Sequence, residues 1–340
     1  MSEEKSLAKL LQEKLFSEKK NGMLKLSDDE TAKVDEFCED YKHYLDNAKT
    51  EREAVNAAIE IAKANGFKEY DRSAKYTAGE KVYYNNRGKS VILCVFGTEP
   101  LENGVKISAA HIDSPRLDLK ANPVYESNDL CLLKTHYYGG IKKYQWATIP
   151  LALHGVIFKA DGTKVEVCIG EKDDDPVFMV TDLLPHLAQE QSKRTLSEGI
   201  KGEELNVLIG SRPFKDDDVS EKVKLNILSL LFDKYGIVED DFVSAELEVV
   251  PAFKAKDVGL DRGLVGGYGQ DDRVCAFTTL KGIFAVQNPK KTALAIFVDK
   301  EEIGSTGNTG MLSAFFEMTL AEIIEKINGN CTITDYNTTI

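Results

Sequence analysis

The sequence predicts an α/β fold in two parts, residues 1–121 and 243–340, with a β-rich domain inserted at 122–242. Three observations point there. Residues 3 to about 65 repeat apolar side chains at helical spacing, as at Val34, Phe37, Tyr41, Tyr44 and Leu45. Val105–Ala110 and Thr292–Val298 read as short strands, and the second lacks polar alternation, which marks a strand buried on both faces of its sheet. From about 122 to 242 the chain instead carries short, turn-bounded segments of the antiparallel kind.

In chain order, Ser27-Asp28-Asp29-Glu30 is a capping box opening the second helix, each end residue's side chain able to take the other's amide. His43, within that amphipathic helix, reads as structural or exposed. Lys81–Gly88 reads as a hairpin and Ser90–Gly97 as a buried strand, and the Gly97–Gly104 loop leads to the strand ending at His111. In the insert, strands are expected at Leu130–Tyr138, Ile149–Lys159 and Lys164–Gly170, and helical pieces at Thr181–Glu190 and Ser220–Tyr235. Val243–Val250 resumes a strand and delivers the chain to Gly266-Gly267-Tyr268-Gly269-Gln270. The apolar run Val274–Ala285 reads as a buried helix, with Cys275 as a core residue. Asp271 and Asp272 sit at its start, where the helix dipole favours carboxylates. A last helix is expected at Gly310–Lys326.

Candidate chemistry gathers at element ends. Glu301 and Glu302 follow the strand Thr292–Val298, and in open α/β sheets ligands gather outside the carboxyl ends of strands. The strand Val105–Ala110 ends at His111-Ile112-Asp113, and Asp271-Asp272 opens a helix. A His, an Asp and a Glu form a hard-to-borderline donor set suited to zinc, manganese or cobalt. The glycines at 266–269 lack the spacing of a phosphate loop, and the aspartates after them would repel an anion. Ser114, in a Ser-Pro turn, does not read as a nucleophile.

Lys+Arg 43 against Asp+Glu 56 gives a net charge of −13, which disfavours electrostatic binding to nucleic acid or an anionic membrane. The six cysteines are scattered without C-x-x-C spacing, which argues for reduced thiols in the cytoplasm. The N-terminus lacks an apolar core of signal-peptide length, and no segment reaches the roughly 20 apolar residues of a membrane span.

The segments Ala110-His111-Ile112-Asp113-Ser114-Pro115-Arg116-Leu117, Tyr268-Gly269-Gln270-Asp271-Asp272-Arg273-Val274 and Asp299-Lys300-Glu301-Glu302-Ile303-Gly304-Ser305 occur in this order. In this they resemble the aspartyl aminopeptidase family, metallopeptidase family 18, in its bacterial branch. Tyr137-Tyr138-Gly139-Gly140-Ile141 and Pro185-His186-Leu187-Ala188 add to the likeness, which runs from the N-terminal helices to residue 340. The resemblance implies a zinc-peptidase-like catalytic domain, 1–121 plus 243–340, with helices around a central mixed sheet and an inserted dimerisation domain at 122–242. It implies an aminopeptidase with two zinc ions per subunit, or manganese or cobalt in their place. On that pattern His111 binds one metal, Asp271 bridges both and Glu302 binds the other. Glu301 is the general base and Asp113 orients His111. His186 is implied to reach a neighbouring subunit's active site and polarise the substrate carbonyl.

The same likeness implies peptide substrates with acidic or neutral N-terminal residues, and a homo-oligomer that reaches a dodecamer. A different two-metal amidohydrolase, such as a deacylase or carboxypeptidase, is the alternative enzyme, and a catalytically incomplete assembly module the non-enzyme one. Family members run on past this chain's end, supplying a further Asp and a His; Asp335 does not sit in the family's pattern. The expectation is a C-terminally truncated chain that binds metal weakly and has little or no activity. His136 and His154 read as structural, and Arg116, Lys120, Lys142 and Lys143 as surface charges.

Overall fold

Residues 6–17, 19–328 and 332 are described by the structure, a computed structural model. Two units make up the chain, Met1–Tyr41 and Lys42–Ile340. The helices are α1 (Leu7–Leu15), α2 (Asp28–Asn47), α3 (Glu51–Ala64), α4 (Lys222–Tyr235), α5 (Gln270–Ala285) and α6 (Phe315–Asn328). The strands are β1 (Lys68–Glu69), β2 (Lys81–Asn86), β3 (Ser90–Val95), β4 (Lys106–His111), β5 (Arg116–Ser127), β6 (Leu130–Tyr138), β7 (Leu151–Phe158), β8 (Lys164–Ile169), β9 (Met179–Val180), β10 (Val207–Gly210), β11 (Ala245–Pro251), β12 (Lys256–Val258), β13 (Leu264–Gly266) and β14 (Ala293–Val298). Asp335 and Cys331 lie outside the described residues.

The capping box at α2 forms as expected: Glu30 accepts the Ser27 amide at 2.9 Å and Ser27 Oγ the Glu30 amide at 3.3 Å. A second box, Thr50 with Glu53, opens α3. Both helices start where side-chain oxygens satisfy amides that lack intrahelical partners.

A mixed five-stranded sheet runs β1-β2-β3-β14-β4, with β14 parallel to β4 and antiparallel to β3. Its core unites Val82, Ile92, Cys94, Leu294 and Ile296 with Leu320, Ile323 and Ile324 of α6. Helices α3 and α5 also pack on this sheet. Cover on both faces is why Ala293–Phe297 is buried throughout and shows no polar alternation.

The second sheet is antiparallel and seven-stranded, in the order β8-β7-β11-β5-β6-β10-β9. Strand β7 begins at Leu151, after Pro150, which has no amide to give a ladder. Strand β11, expected to resume the outer α/β part, lies here between β7 and β5. Leu247 and Val249 alternate into the core of this sheet, which fixes its register there. No helix forms at 181–190. Pro185 biases Leu184 away from helical dihedrals, and Leu183, Leu184 and Leu187 are exposed, so no apolar face anchors a helix.

Charged groups bridge the elements of the second unit. Arg116, expected at the surface, is 3 % exposed. It donates to Glu51 at 3.0 Å and to Asp118 at 2.7 Å and pairs with Glu248 at 3.3 Å. A guanidinium so enclosed is held by its fork of donors against several carboxylates. His43 is exposed, as expected. His154 is structural, at 2 % exposure, with Nδ1 2.6 Å from Glu53 and Nε2 3.0 Å from Glu171. Lys49 and Lys254 also contact Glu171, at 2.6 and 2.9 Å.

Burial would favour neutral His154, but its bonds to Cys168, Glu171 and Glu53 outweigh that and push its pKa from 6.5 up to about 11. A raised folded pKa means the stabilisation is complete below about pH 6.5 and is lost as the pH climbs through about 11. His154→Phe is therefore expected to cost about 1.5–3 kcal/mol at neutral pH, since it removes a charged hydrogen-bond partner from Glu53 and Glu171 while Glu171 keeps Lys49 and Lys254. Urea unfolding of both proteins across that pH range should show the gap narrowing upward; a gap independent of pH would rule out a protonated His154.

Candidate metal centre

Two parallel strand ends create the site. Strands β4 and β14 run side by side in a register that pairs Val298 with His111, and the Ile112 amide donates to Val298 O at 2.8 Å. His111 and the 3-10 turn Glu301–Ile303 therefore leave the same edge of the sheet. That turn is flanked by Lys300 at φ 74° and Gly304 at φ 95°. Asp299, buried beneath it, accepts the Lys300 amide at 2.8 Å and the Thr309 hydroxyl at 2.7 Å.

Asp113 is the hub, at 0 % exposure. Its Oδ1 accepts the Glu301 amide at 3.2 Å, and its Oδ2 the Glu302 amide at 3.1 Å and the Tyr138 hydroxyl at 2.7 Å. His111 Nδ1 lies 3.4 Å from Oδ1 and 3.1 Å from the Asp113 carbonyl oxygen. Burial opposes the charge on Asp113, yet the bonds from His111, Tyr138 and the Glu302 amide outweigh it and hold the pKa below the usual carboxylate value. With Nδ1 committed to Asp113, Nε2 faces outward.

There it meets Asp271 Oδ1 at 3.2 Å and Glu301 Oε2 at 3.7 Å. Burial favours the neutral imidazole, but the bonds to Asp113 and Asp271 prevail and raise the His111 pKa to about 9. Glu302 is pushed above its ordinary value, first by burial and then by the negative charge of Asp113. Such a concentration of carboxylates around one imidazole is relieved by a cation.

The acidic pair divides its labour. Asp271 and Asp272 are joined by a cis peptide and carry non-helical dihedrals, so regular helix begins only after them. Asp272 Oδ1 accepts the Cys275 amide at 3.3 Å, the bond of an N-cap, while Asp271 reaches His111. Arg273 anchors this start, with Nε on Ala48 O at 2.6 Å and Nη1 on Ser114 Oγ at 3.0 Å. Ser114 Oγ in turn donates to Asp271 O at 3.3 Å, so its hydroxyl is occupied within the structure. Cys275 is exposed rather than core. Ala276, Phe277, Leu280 and Ile283 supply the buried stripe of α5, and Cys275 falls outside it.

Donor atoms of His111, Glu301 and Glu302 all lie within 4.8 Å of one another. Ligands about 2.0–2.2 Å from a tetrahedral zinc stand roughly 3.4 Å apart, so the 3.2 Å between His111 Nε2 and Asp271 Oδ1 fits two ligands of one ion. Nitrogen and oxygen donors suit zinc chemically as well. The structure thus brings together His111, Asp113, Asp271, Glu301 and Glu302. His186 is in an exposed turn after Pro185 and, among the described residues, makes no hydrogen bond or ion pair with this cluster. Tyr138, Gly139, Ser114 and Arg273 support the site although their roles are not apparent from composition or periodicity. The signal available was position: Tyr138-Gly139 ends a strand, and Arg273 directly follows the acidic pair.

A family model described as aminopeptidase I zinc metalloprotease (M18) matches residues 44–340. A curated relative from Clostridium acetobutylicum, named as a probable M18 family aminopeptidase 1, is 54% identical over 314 residues, covering 91% of this chain and 68% of its own length. The crystal structure of an M18-family aminopeptidase from Thermotoga maritima superposes with a TM-score of 0.90 at 43% identity, over 95% of this chain and 70% of that one. The fold also matches a solved S. cerevisiae mApe1 dodecamer, with a TM-score of 0.66 at 17% identity, over 85% of this chain and 66% of that one.

Asp113→Asn keeps the side chain's shape but removes its charge and half its acceptor capacity. The expected loss is about 1.5–3 kcal/mol of stability, the scale of hydrogen bonds to a charged group. Denaturant unfolding at neutral pH tests it, and an unchanged midpoint would show that the site's framework does not depend on this carboxylate.

Proposed function

Because the chain belongs to the aminopeptidase I zinc metalloprotease family, M18, we propose that it removes N-terminal residues, acidic or neutral, from peptides at a two-metal site formed by the cluster around His111. The carrying observation is the convergence of His111, Asp271, Glu301 and Glu302 over the buried Asp113. His111 would hold one zinc ion and Glu302 the other, with the Asp271 carboxylate shared between them, and manganese or cobalt would suit the same donors. A bound metal pair supplies a water of lowered pKa and a Lewis acid for the scissile carbonyl.

The remaining work belongs to side chains. Glu301, the more exposed of the adjacent glutamates, accepts a proton from the attacking water and returns it to the departing amine. Asp113 keeps the His111 tautomer fixed through the Nδ1 side. The acidic surroundings favour a substrate whose free N-terminal amine is positively charged, which suits an exopeptidase.

The seven-stranded sheet and its helix α4 make up the insert that would pair subunits. Leu230 and Phe232 of α4 and Leu183, Leu184 and Leu187 beside His186 are exposed apolar side chains suited to such contacts. In an oligomer His186 would serve a neighbouring subunit's site, and a dodecamer is the proposed end state. We place the protein in the cytoplasm from its scattered cysteines. Among the described residues no helix is long and apolar enough to cross a membrane.

Elemental analysis after dialysis is expected to find zinc that a Glu302→Ala variant loses. Glu301→Gln should retain the metal while kcat falls by about 10²–10⁴-fold, the usual worth of a general base. Release of p-nitroaniline from aminoacyl p-nitroanilides with free amines, but not from their N-acetyl forms, tests the exopeptidase reading; equal turnover of blocked substrates would replace it with another amidohydrolase, such as a deacylase or carboxypeptidase.

A further inference from the structure

We infer that the Tyr138-Gly139 corner at the end of β6 positions the metal centre, Tyr138 by fixing the Asp113 carboxylate and Gly139 by leaving room for Glu302. The inference rests on the metal-site reading above and adds residues outside the proposed ligand and base set.

Tyr138 is 6 % exposed and donates to Asp113 Oδ2 at 2.7 Å. The same oxygen takes the Glu302 amide at 3.1 Å, and Oδ1 takes the Glu301 amide at 3.2 Å beside His111 Nδ1 at 3.4 Å. One carboxylate therefore sets both the imidazole and the main chain that carries the two glutamates. A carboxylate's terminal torsion is broad. The phenolic O–H adds a side-chain donor to the two amides and narrows that freedom.

The phenol is itself held. The Arg116 guanidinium carbon lies 3.9 Å from the ring centroid, and Lys300 Nζ lies 5.7 Å from it. Arg116 is immobilised by Glu51, Asp118 and Glu248. Tyr138 belongs to the seven-stranded sheet, whereas Glu301 and Glu302 follow a strand of the five-stranded one. Its hydroxyl thus transmits the rigidity of one sheet to a turn emerging from the other.

Gly139 completes the corner. It sits at φ +72°, and a Cβ there would lie 3.0 Å from Glu302 Oε2, 3.1 Å from Glu302 Cβ and 3.4 Å from Pro115 Cγ. Any side chain would press on Glu302, in a backbone conformation that already favours glycine.

The test measures zinc affinity by competition with a chromogenic chelator, together with the melting temperature of metal-free protein, for wild type, Tyr138→Phe, Asp113→Asn, the double variant and His111→Ala. Tyr138→Phe is expected to weaken zinc binding by about tenfold, the lower end for groups that orient metal ligands. In the Asp113→Asn background the same change should add less than about twofold, because the two act through one contact. Wild-type affinity in Tyr138→Phe, or effects that multiply in the double variant, would overturn the inference while leaving the metal site standing. Zinc binding by wild type no tighter than by His111→Ala would overturn the metal-site reading and this inference with it. Should Tyr138→Phe fail to fold, Gly139→Ala tests the corner with the hydroxyl in place: weakened zinc binding supports it, and unchanged binding overturns it.

Discussion

A single buried carboxylate organises this molecule's chemistry. Asp113 is sealed from solvent, and a carboxylate in that position is tolerated only when its lone pairs are occupied. The donors that occupy them come from His111, from the backbone of Glu301 and Glu302, and from Tyr138. Each is thereby fixed relative to the others. The groups that face solvent at the site, Nε2 of His111 and the glutamate side chains, inherit their positions from bonds made underneath.

This dependence explains why two sheets meet at one point. The segment Ile112–Pro115 leaves β4 of the five-stranded sheet and enters β5 of the seven-stranded one, so Asp113 stands at the crossing. Arg116, directly after it, ties Glu51 of α3 to Glu248 of β11. Removing one member of such a buried network leaves the rest uncompensated, which makes the arrangement all-or-none. The seven-stranded sheet therefore helps to support the framework of the site.

Charge is deliberately unbalanced at the rim. Glu302 is driven toward protonation by burial and by its acidic neighbours, while His111 is driven toward it by Asp113 and Asp271. A divalent cation at the proposed site would meet both demands at once, taking the place of the proton on imidazole and neutralising the carboxylates.

Much of this was legible in the chain itself. The unbroken apolar run before Glu301, the strand ending at His111 and the acidic pair opening a helix place the candidate donors at element ends, because local periodicity and end effects are properties of short segments. The ordered motifs identify the family for the same reason. Tertiary structure alone decided which of the two aspartates caps α5 and which reaches His111, since both choices satisfy the local pattern. It alone buried Arg116, exposed Cys275, left Thr181–Glu190 without a helix and moved β11 into the seven-stranded sheet. The part played by Tyr138 is likewise a matter of long-range pairing: its partner is 25 positions earlier in the chain, brought to 2.7 Å only when the two sheets join. Segment-level patterns report what a stretch of chain can bury, whereas contacts across the fold settle what it buries against.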